Sequence, residues 1–154
     1  MNLANETKTG ALAARLAAIS RPGDFIALTG DLGAGKTVFA RAFIRALNRK
    51  GPEEEVPSPT FTIIQSYDRG SVTVHHVDLY RLKTPEEALE LGLDEALSDG
   101  VIVMEWPERL GRYLPRNRLD VVMEFGDGKT QRRVALSGLG SDWQERLRKA
   151  GLND

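Results

Sequence analysis

Cysteine is absent from the 154 residues. With no thiolate available, disulfides, iron–sulfur clusters and zinc–thiolate sites are excluded, and a reducing compartment suits the chain. Histidine is scarce: His75 and His76 are the two in the sequence. Neighbours on a strand point to opposite faces, so this pair does not converge on one metal, and no third imidazole completes a set. Net charge is close to nil, with 21 Lys and Arg against 22 Asp and Glu. That argues against a free-standing nucleic-acid binder or a polybasic membrane-surface protein. Long apolar runs are missing too. Stretches such as residues 101–104 fall far short of the roughly 20 residues a bilayer requires. The N-terminus lacks a basic segment followed by an apolar one, so no secretory signal is expected. A cytoplasmic protein with no membrane attachment is the expectation.

The residues present fit a folded domain. A 41% share of hydrophobic residues with 28% charged suits a globular chain rather than a disordered one. The length predicts one domain over residues 1–154. Charge is uneven: residues 1–50 carry eight basic and three acidic side chains, 51–100 three and eleven, and 101–154 ten and eight. The acidic middle third reads equally as an ordinary solvated face or as part of a protein-docking surface.

Residues 6–19 are predicted as a helix, 21–24 as a turn and 25–28 as a short buried strand. A glycine-rich loop leads to a helix over 36–49, with Val38, Phe39, Ala42, Phe43 and Leu47 as its core face. Residues 51–59, with three Glu and three Pro, are a loop. Strands follow at 61–67 and 72–77 around a turn at 68–71. Thr84, Pro85 and Glu87 predict a helix start with a capping box, and Gly92 its stop. Residues 101–104 read as a second buried strand, 119–125 and 132–136 as a late hairpin, and 141–149 as a last helix.

Gly30-Asp31-Leu32-Gly33-Ala34-Gly35-Lys36-Thr37 matches G-x-x-x-x-G-K-[ST] in full, between an apolar strand and an amphipathic helix. Such a loop turns backbone N–H groups toward phosphate oxygens, and the helix start adds its positive end. Lys36 is expected to reach the β- and γ-phosphates, and Thr37 to place its hydroxyl on Mg²⁺. The nucleotide-binding set is Gly33, Ala34, Gly35, Lys36, Thr37 and Val38. This context predicts an α/β fold, P-loop NTPase-like, with a central mostly parallel sheet flanked by helices and antiparallel strand additions.

A second metal-side carboxylate is needed, and two strand-end acids offer it, Asp78 and Glu105. Lys36, Asp78 and Glu105 form the candidate catalytic set, with Thr37 and Glu105 the candidate metal ligands. Either acid is also readable as a solvent-facing strand end. Thr60, within Ser58-Pro59-Thr60, is a candidate γ-phosphate sensor or a hydroxyl in an ordinary proline turn. Trp106 is readable as a base-stacking, partner-facing or core-edge aromatic, and Arg109, Arg112, Arg116 and Arg118 as a contact cluster or a solvated surface. No Asn-Lys-x-Asp segment is present, which favours ATP over GTP.

Four motifs in this order, Gly30 to Thr37, Ser58-Pro59-Thr60-Phe61, His76-Val77-Asp78-Leu79-Tyr80-Arg81 and Glu105-Trp106, resemble the bacterial tRNA threonylcarbamoyladenosine biosynthesis ATPase family, TsaE. The resemblance runs from about Glu6 to Val134. It implies an ATPase subunit that acts with TsaD and TsaB, the subunits that attach threonylcarbamoyl to N6 of adenosine 37 of tRNA. Its hydrolysis would reset that complex between turnovers, with tRNA contact indirect or weak. By position, Lys36 would hold phosphate, Thr37 and Glu105 would serve Mg²⁺, and Asp78 would be required for hydrolysis. Glu6 and Thr7 match a segment near the nucleotide, and Lys129 a late basic residue that approaches it. Hydrolysis is expected to be slow alone, since no Arg near the loop has an evident finger role. Two other readings stay open: a nucleotide-dependent binding module without required hydrolysis, and a small P-loop kinase, for which the third quarter leaves little room for a lid.

Overall fold

A computed structural model describes residues 1–47, 56, 63–70, 72–140 and 142–153. Seven strands form one sheet: β1 (Asn2–Leu3), β2 (Phe25–Thr29), β3 (Ile64–Asp68), β4 (Thr73–Asp78), β5 (Gly100–Glu105), β6 (Arg118–Phe125) and β7 (Arg132–Leu139). Their spatial order is β1-β7-β6-β2-β5-β4-β3. The four central strands β6, β2, β5 and β4 run parallel, whereas β3 at one side and β7 and β1 at the other are antiparallel. The expected mixed α/β sheet is therefore present, with antiparallel additions at both flanks.

Both faces of the sheet are covered, which explains the nearly unbroken apolar runs of β2 and β5. Alternation divides them. Ile26, Leu28, Val101 and Val103 join a core with α1 (Glu6–Ala18), α2 (Lys36–Ala46) and α4 (Trp143–Lys149). Phe25, Ala27, Ile102 and Met104 join another with Leu79, Leu82, Ala88, Ala96 and Leu110. These last come from the β4–β5 crossover, including the 3₁₀ segment Pro85–Leu91 and α3 (Leu93–Asp99), and from the 3₁₀ segment Pro107–Tyr113. Among the described residues, no helix is long and apolar enough to cross a membrane.

Several local expectations shift. The buried stripe of α2 is Lys36, Phe39, Ala40, Phe43 and Ile44, at helical spacing. It is rotated from the expected face because α2 packs on both the sheet and α1, where a Cβ on Gly10 would sit 3.6 Å from Ala42. The rotation places Lys36 on the buried side. The Thr84 capping box does not close: the segment is 3₁₀, Thr84 makes no side-chain cap, and Glu87 accepts instead from Lys83 N–H at 3.4 Å. Gly92, in the left-handed region at φ 68°, ends it as expected. The short edge strand β1, α3 and the Pro107–Tyr113 segment escaped the sequence reading.

Candidate functional site

Parallel strands deliver their C-terminal ends to one edge, and the register aligns them closely. Glu105 on β5 is the ladder partner of Leu28 on β2 and of Asp78 on β4. The glycine-rich loop leaves β2 at this point and α2 begins across from the two acids. Gly30 is required by close approach: a Cβ there would lie 2.5 Å from the Met123 carbonyl of β6. Gly35 is the N-cap of α2 at φ 111°, a conformation that L side chains rarely adopt, with no side-chain cap bond. The first N–H groups of α2 are thus left to face the cleft, an arrangement suited to an anion.

The cleft encloses about 290 Å³ and is lined by the loop, the start of α2, Asp78, Tyr80, Glu105 and Trp106. Lys36 is buried at its floor. Its Nζ donates to the Gly30 carbonyl and, at 3.0 Å, to that of Asp31. The ammonium lies 4.0 Å above the Trp106 ring centre, within cation–π range. Burial pulls its pKa below the ordinary lysine value, while Glu105, Glu108, Asp78 and Asp31 pull it back up. Trp106 reaches this position in a left-handed conformation, φ 60°. For a bulky residue this costs on the order of 1–3 kcal/mol. The ring also packs on Tyr80, centres 5.1 Å apart. A Gly-rich sequence pattern carries no hint of this Lys36–Trp106–Tyr80 stack.

Beside it, the Thr37 hydroxyl donates to Glu105 Oε1 at 2.7 Å. Glu105 Oε2 lies 2.7 Å from His76 Nε2. His76 and Asp78 are two residues apart on β4 and share the sheet face that Glu105 and α2 share. His75, on the opposite face as expected, meets Ser66 and Asp99. Asp78 Oδ1 accepts the Tyr80 N–H at 2.9 Å.

A smaller cleft of about 170 Å³ adjoins the first and shares Gly33, Gly35 and Val38 with it. Glu6 and Lys129 line it, as does Thr9, while Thr7 is exposed on the first turn of α1. Ala34 is buried beneath the loop. Arg132 of β7 reaches the loop, a residue the sequence reading passed over: its guanidinium donates to Ala34 O at 3.0 Å and Gly33 O at 3.3 Å. It also bonds the carbonyls of Lys129 and Gln131. An arginine therefore does stand beside the loop, employed in holding its backbone. Thr60 lies outside the described residues. Arg109, Arg112 and Arg118 bond to Leu82 O, Glu86 and Asp120 of their own chain.

The donor chemistry fits a nucleotide with Mg²⁺. A hydroxyl and a carboxylate are hard oxygen ligands, and Mg²⁺ characteristically takes one or two such protein groups, completing its shell with phosphate and water. Among the described residues, no cluster of three or more His, Asp or Glu could hold a metal by itself. The Thr37 proton already points to Glu105, which leaves its oxygen lone pairs for a cation.

Comparison with known proteins bears on this edge of the sheet. The family described as "Threonylcarbamoyl adenosine biosynthesis protein TsaE" matches residues 3–134. A tRNA threonylcarbamoyladenosine biosynthesis protein TsaE from Rickettsia felis is 43% identical over 125 residues, 81% of this chain and 72% of that one. The protein of that name from Bacillus subtilis is 38% identical over 141 residues, 91% and 85% of the two chains. The one from Streptomyces coelicolor is 41% identical over 139 residues, 86% and 91%. The crystal structure of YdiB from Bacillus subtilis superposes with a TM-score of 0.80 at 31% identity, covering 98% of this chain and 92% of that one.

Proposed function

The chain belongs to the TsaE family, whose role lies in tRNA threonylcarbamoyladenosine biosynthesis, and from that premise we propose that it is the ATP-binding and ATP-hydrolysing subunit of the bacterial synthesis complex. The observation that carries this reading is the contact of Thr37 with Glu105 at 2.7 Å, at the start of a helix whose N–H groups face an open cleft beside a buried lysine. Lys36 binds the β- and γ-phosphates, and backbone N–H groups of residues 33–38 cradle them. Thr37 ligates Mg²⁺ through its oxygen and Glu105 serves the metal side. Mg²⁺, when bound, neutralises charge developing on the transferring phosphoryl group. Asp78, paired with Glu105 across the strands, is the second acid of this edge, and the attacking water is oriented by one of these two carboxylates. Glu6 and Lys129 line the adjoining cleft and attend the nucleoside end.

The partners in this reading are TsaD and TsaB, and contact with tRNA is indirect. The near-neutral charge and the internal bonding of Arg109, Arg112 and Arg118 support that. Hydrolysis is slow alone because Arg132 is held by backbone carbonyls and is poorly placed to reach a transferring phosphoryl group, so the partner completes the site. ATP turnover, measured with and without the TsaB–TsaD pair, should rise in its presence. Equal and fast rates in both cases would contradict partner dependence. A modification cycle that runs undiminished with Glu105→Ala and Asp78→Ala, both lacking ATPase activity, would instead favour a binding module.

A further inference from the structure

We propose that His76 is a positioning residue for the metal-side carboxylate: its Nε2–H fixes Glu105 so that the opposite oxygen meets Thr37. The proposal rests on the reading of this edge as an ATP–Mg²⁺ site. His76 itself touches neither phosphate nor metal in that reading. His76 is fully buried, at 0% exposure, on a chain with two histidines. Its Nε2 lies 2.7 Å from Glu105 Oε2. A carboxylate accepts and does not donate, so the imidazole proton belongs on Nε2. Nδ1 has no hydrogen-bond partner among the described residues. A leucine or methionine of similar volume would fill this space without the desolvation cost of an unpaired ring nitrogen.

The register shows what the imidazole does there. His76 pairs with Val103, two residues before Glu105 on the neighbouring strand, so its ring meets the carboxylate diagonally along one face. Glu105 is 2% exposed. Its two oxygens are shared between one donor on the sheet, His76, and one on α2, Thr37. Removing the sheet-side donor frees the carboxylate to rotate away from Thr37. The hydroxyl then loses the acceptor that aims its lone pairs outward. Groups one layer behind a metal ligand commonly act in this way.

Glutamine and asparagine separate this role from packing. A glutamine amide nitrogen reproduces the position of Nε2, an asparagine amide that of Nδ1, and leucine reproduces neither. For His76→Gln, His76→Asn and His76→Leu in the full chain, binding of a fluorescent ATP analogue is titrated with Mg²⁺ and repeated in EDTA. The expected result is a Mg²⁺ midpoint raised roughly 10- to 100-fold in the Asn and Leu variants, near wild type in the Gln variant, and equal affinities in EDTA throughout. Asn and Leu variants that match wild type, or a Gln variant that falls as far as Asn, would overturn the proposal. A wild type whose nucleotide binding ignores Mg²⁺ would overturn the underlying site reading, and the proposal with it. An independent check uses the wild type alone. Long-range ¹H–¹⁵N spectra of the imidazole should place a proton on Nε2, and a proton confined to Nδ1 would overturn the proposal whatever the variants do.

Discussion

Lys36 is an ammonium in a place that disfavours its charge. Burial lowers its pKa, and the pull of Glu105, Glu108, Asp78 and Asp31 does not fully restore it. The consequence for stability has a definite sign. Below the lowered value both folded and unfolded chains hold the proton, and the cost of burying the charge is fully present. Between that value and the ordinary lysine value, about 10.4, the unfolded chain binds the proton more readily, so stability rises with pH. Wild type should therefore gain stability relative to Lys36→Met as pH climbs through that window, read by denaturant unfolding of both proteins at each pH. A difference that stays flat, or shrinks, would contradict the burial account. At this scale the sequence was legible where chemistry is local. Lys36 and Thr37 sit in a contiguous motif, and Asp78 and Glu105 each end an apolar run. The partnership of Glu105 with His76 was not, because it depends on strands far apart in the chain coming into parallel register. Trp106 likewise turns toward Lys36 through one left-handed residue, which no periodicity announces.

The element that makes the site is the β2–loop–α2 unit. Its shape is set from outside as well as from within. From the β6 flank the Met123 carbonyl closes against Gly30, and from the next strand out Arg132 of β7 holds the Gly33 and Ala34 carbonyls. Gly30→Ala forces its Cβ to within 2.5 Å of a backbone oxygen. Overpacking of that kind should destabilise by about 1–3 kcal/mol, measured by chemical denaturation, and should weaken nucleotide binding as the loop shifts. A Gly30→Ala protein of wild-type stability would show that the approach is looser than the structure has it. The sequence revealed this unit because strand, glycines and helix are adjacent. It did not reveal the clamp, since Arg132 comes within reach of the loop only once the β6–β7 hairpin is laid against β2. The same limit explains the rotated face of α2, whose apolar residues serve both the sheet and α1. It also explains the open capping box at Thr84, where a 3₁₀ turn replaced the expected α-helix.

For the molecule as a whole, α4 is tied to the start of β2 by a buried ion pair. Arg146 of α4 grips Asp24, just ahead of β2, through two bonds of 2.8 and 2.7 Å, and its Nη1 also reaches Ile19 O at 2.7 Å. Arg146→Met strands the Asp24 charge and should cost about 3–5 kcal/mol, seen as a lower denaturation midpoint. Arg112→Ala, which breaks the exposed pair with Glu86, should leave the midpoint where it is. Similar midpoints for the two variants would refute this ranking. The uneven charge takes on a place in space: Glu86, Glu87, Glu90, Asp94 and Glu95 lie on Pro85–Leu91 and α3, on the sheet face away from α1 and α2, while Glu53, Glu54 and Glu55 lie outside the described residues. In the proposed function the loop edge holds ATP through Lys36, with Mg²⁺ on Thr37 and Glu105. Calorimetric titration of ATP into wild type, Lys36→Ala and Thr37→Ala, each with Mg²⁺ and with EDTA, tests it most directly. Wild type should bind ATP more tightly with Mg²⁺, Thr37→Ala should lose that enhancement, and Lys36→Ala should lose binding itself. ATP affinity unchanged by Lys36→Ala would contradict the account.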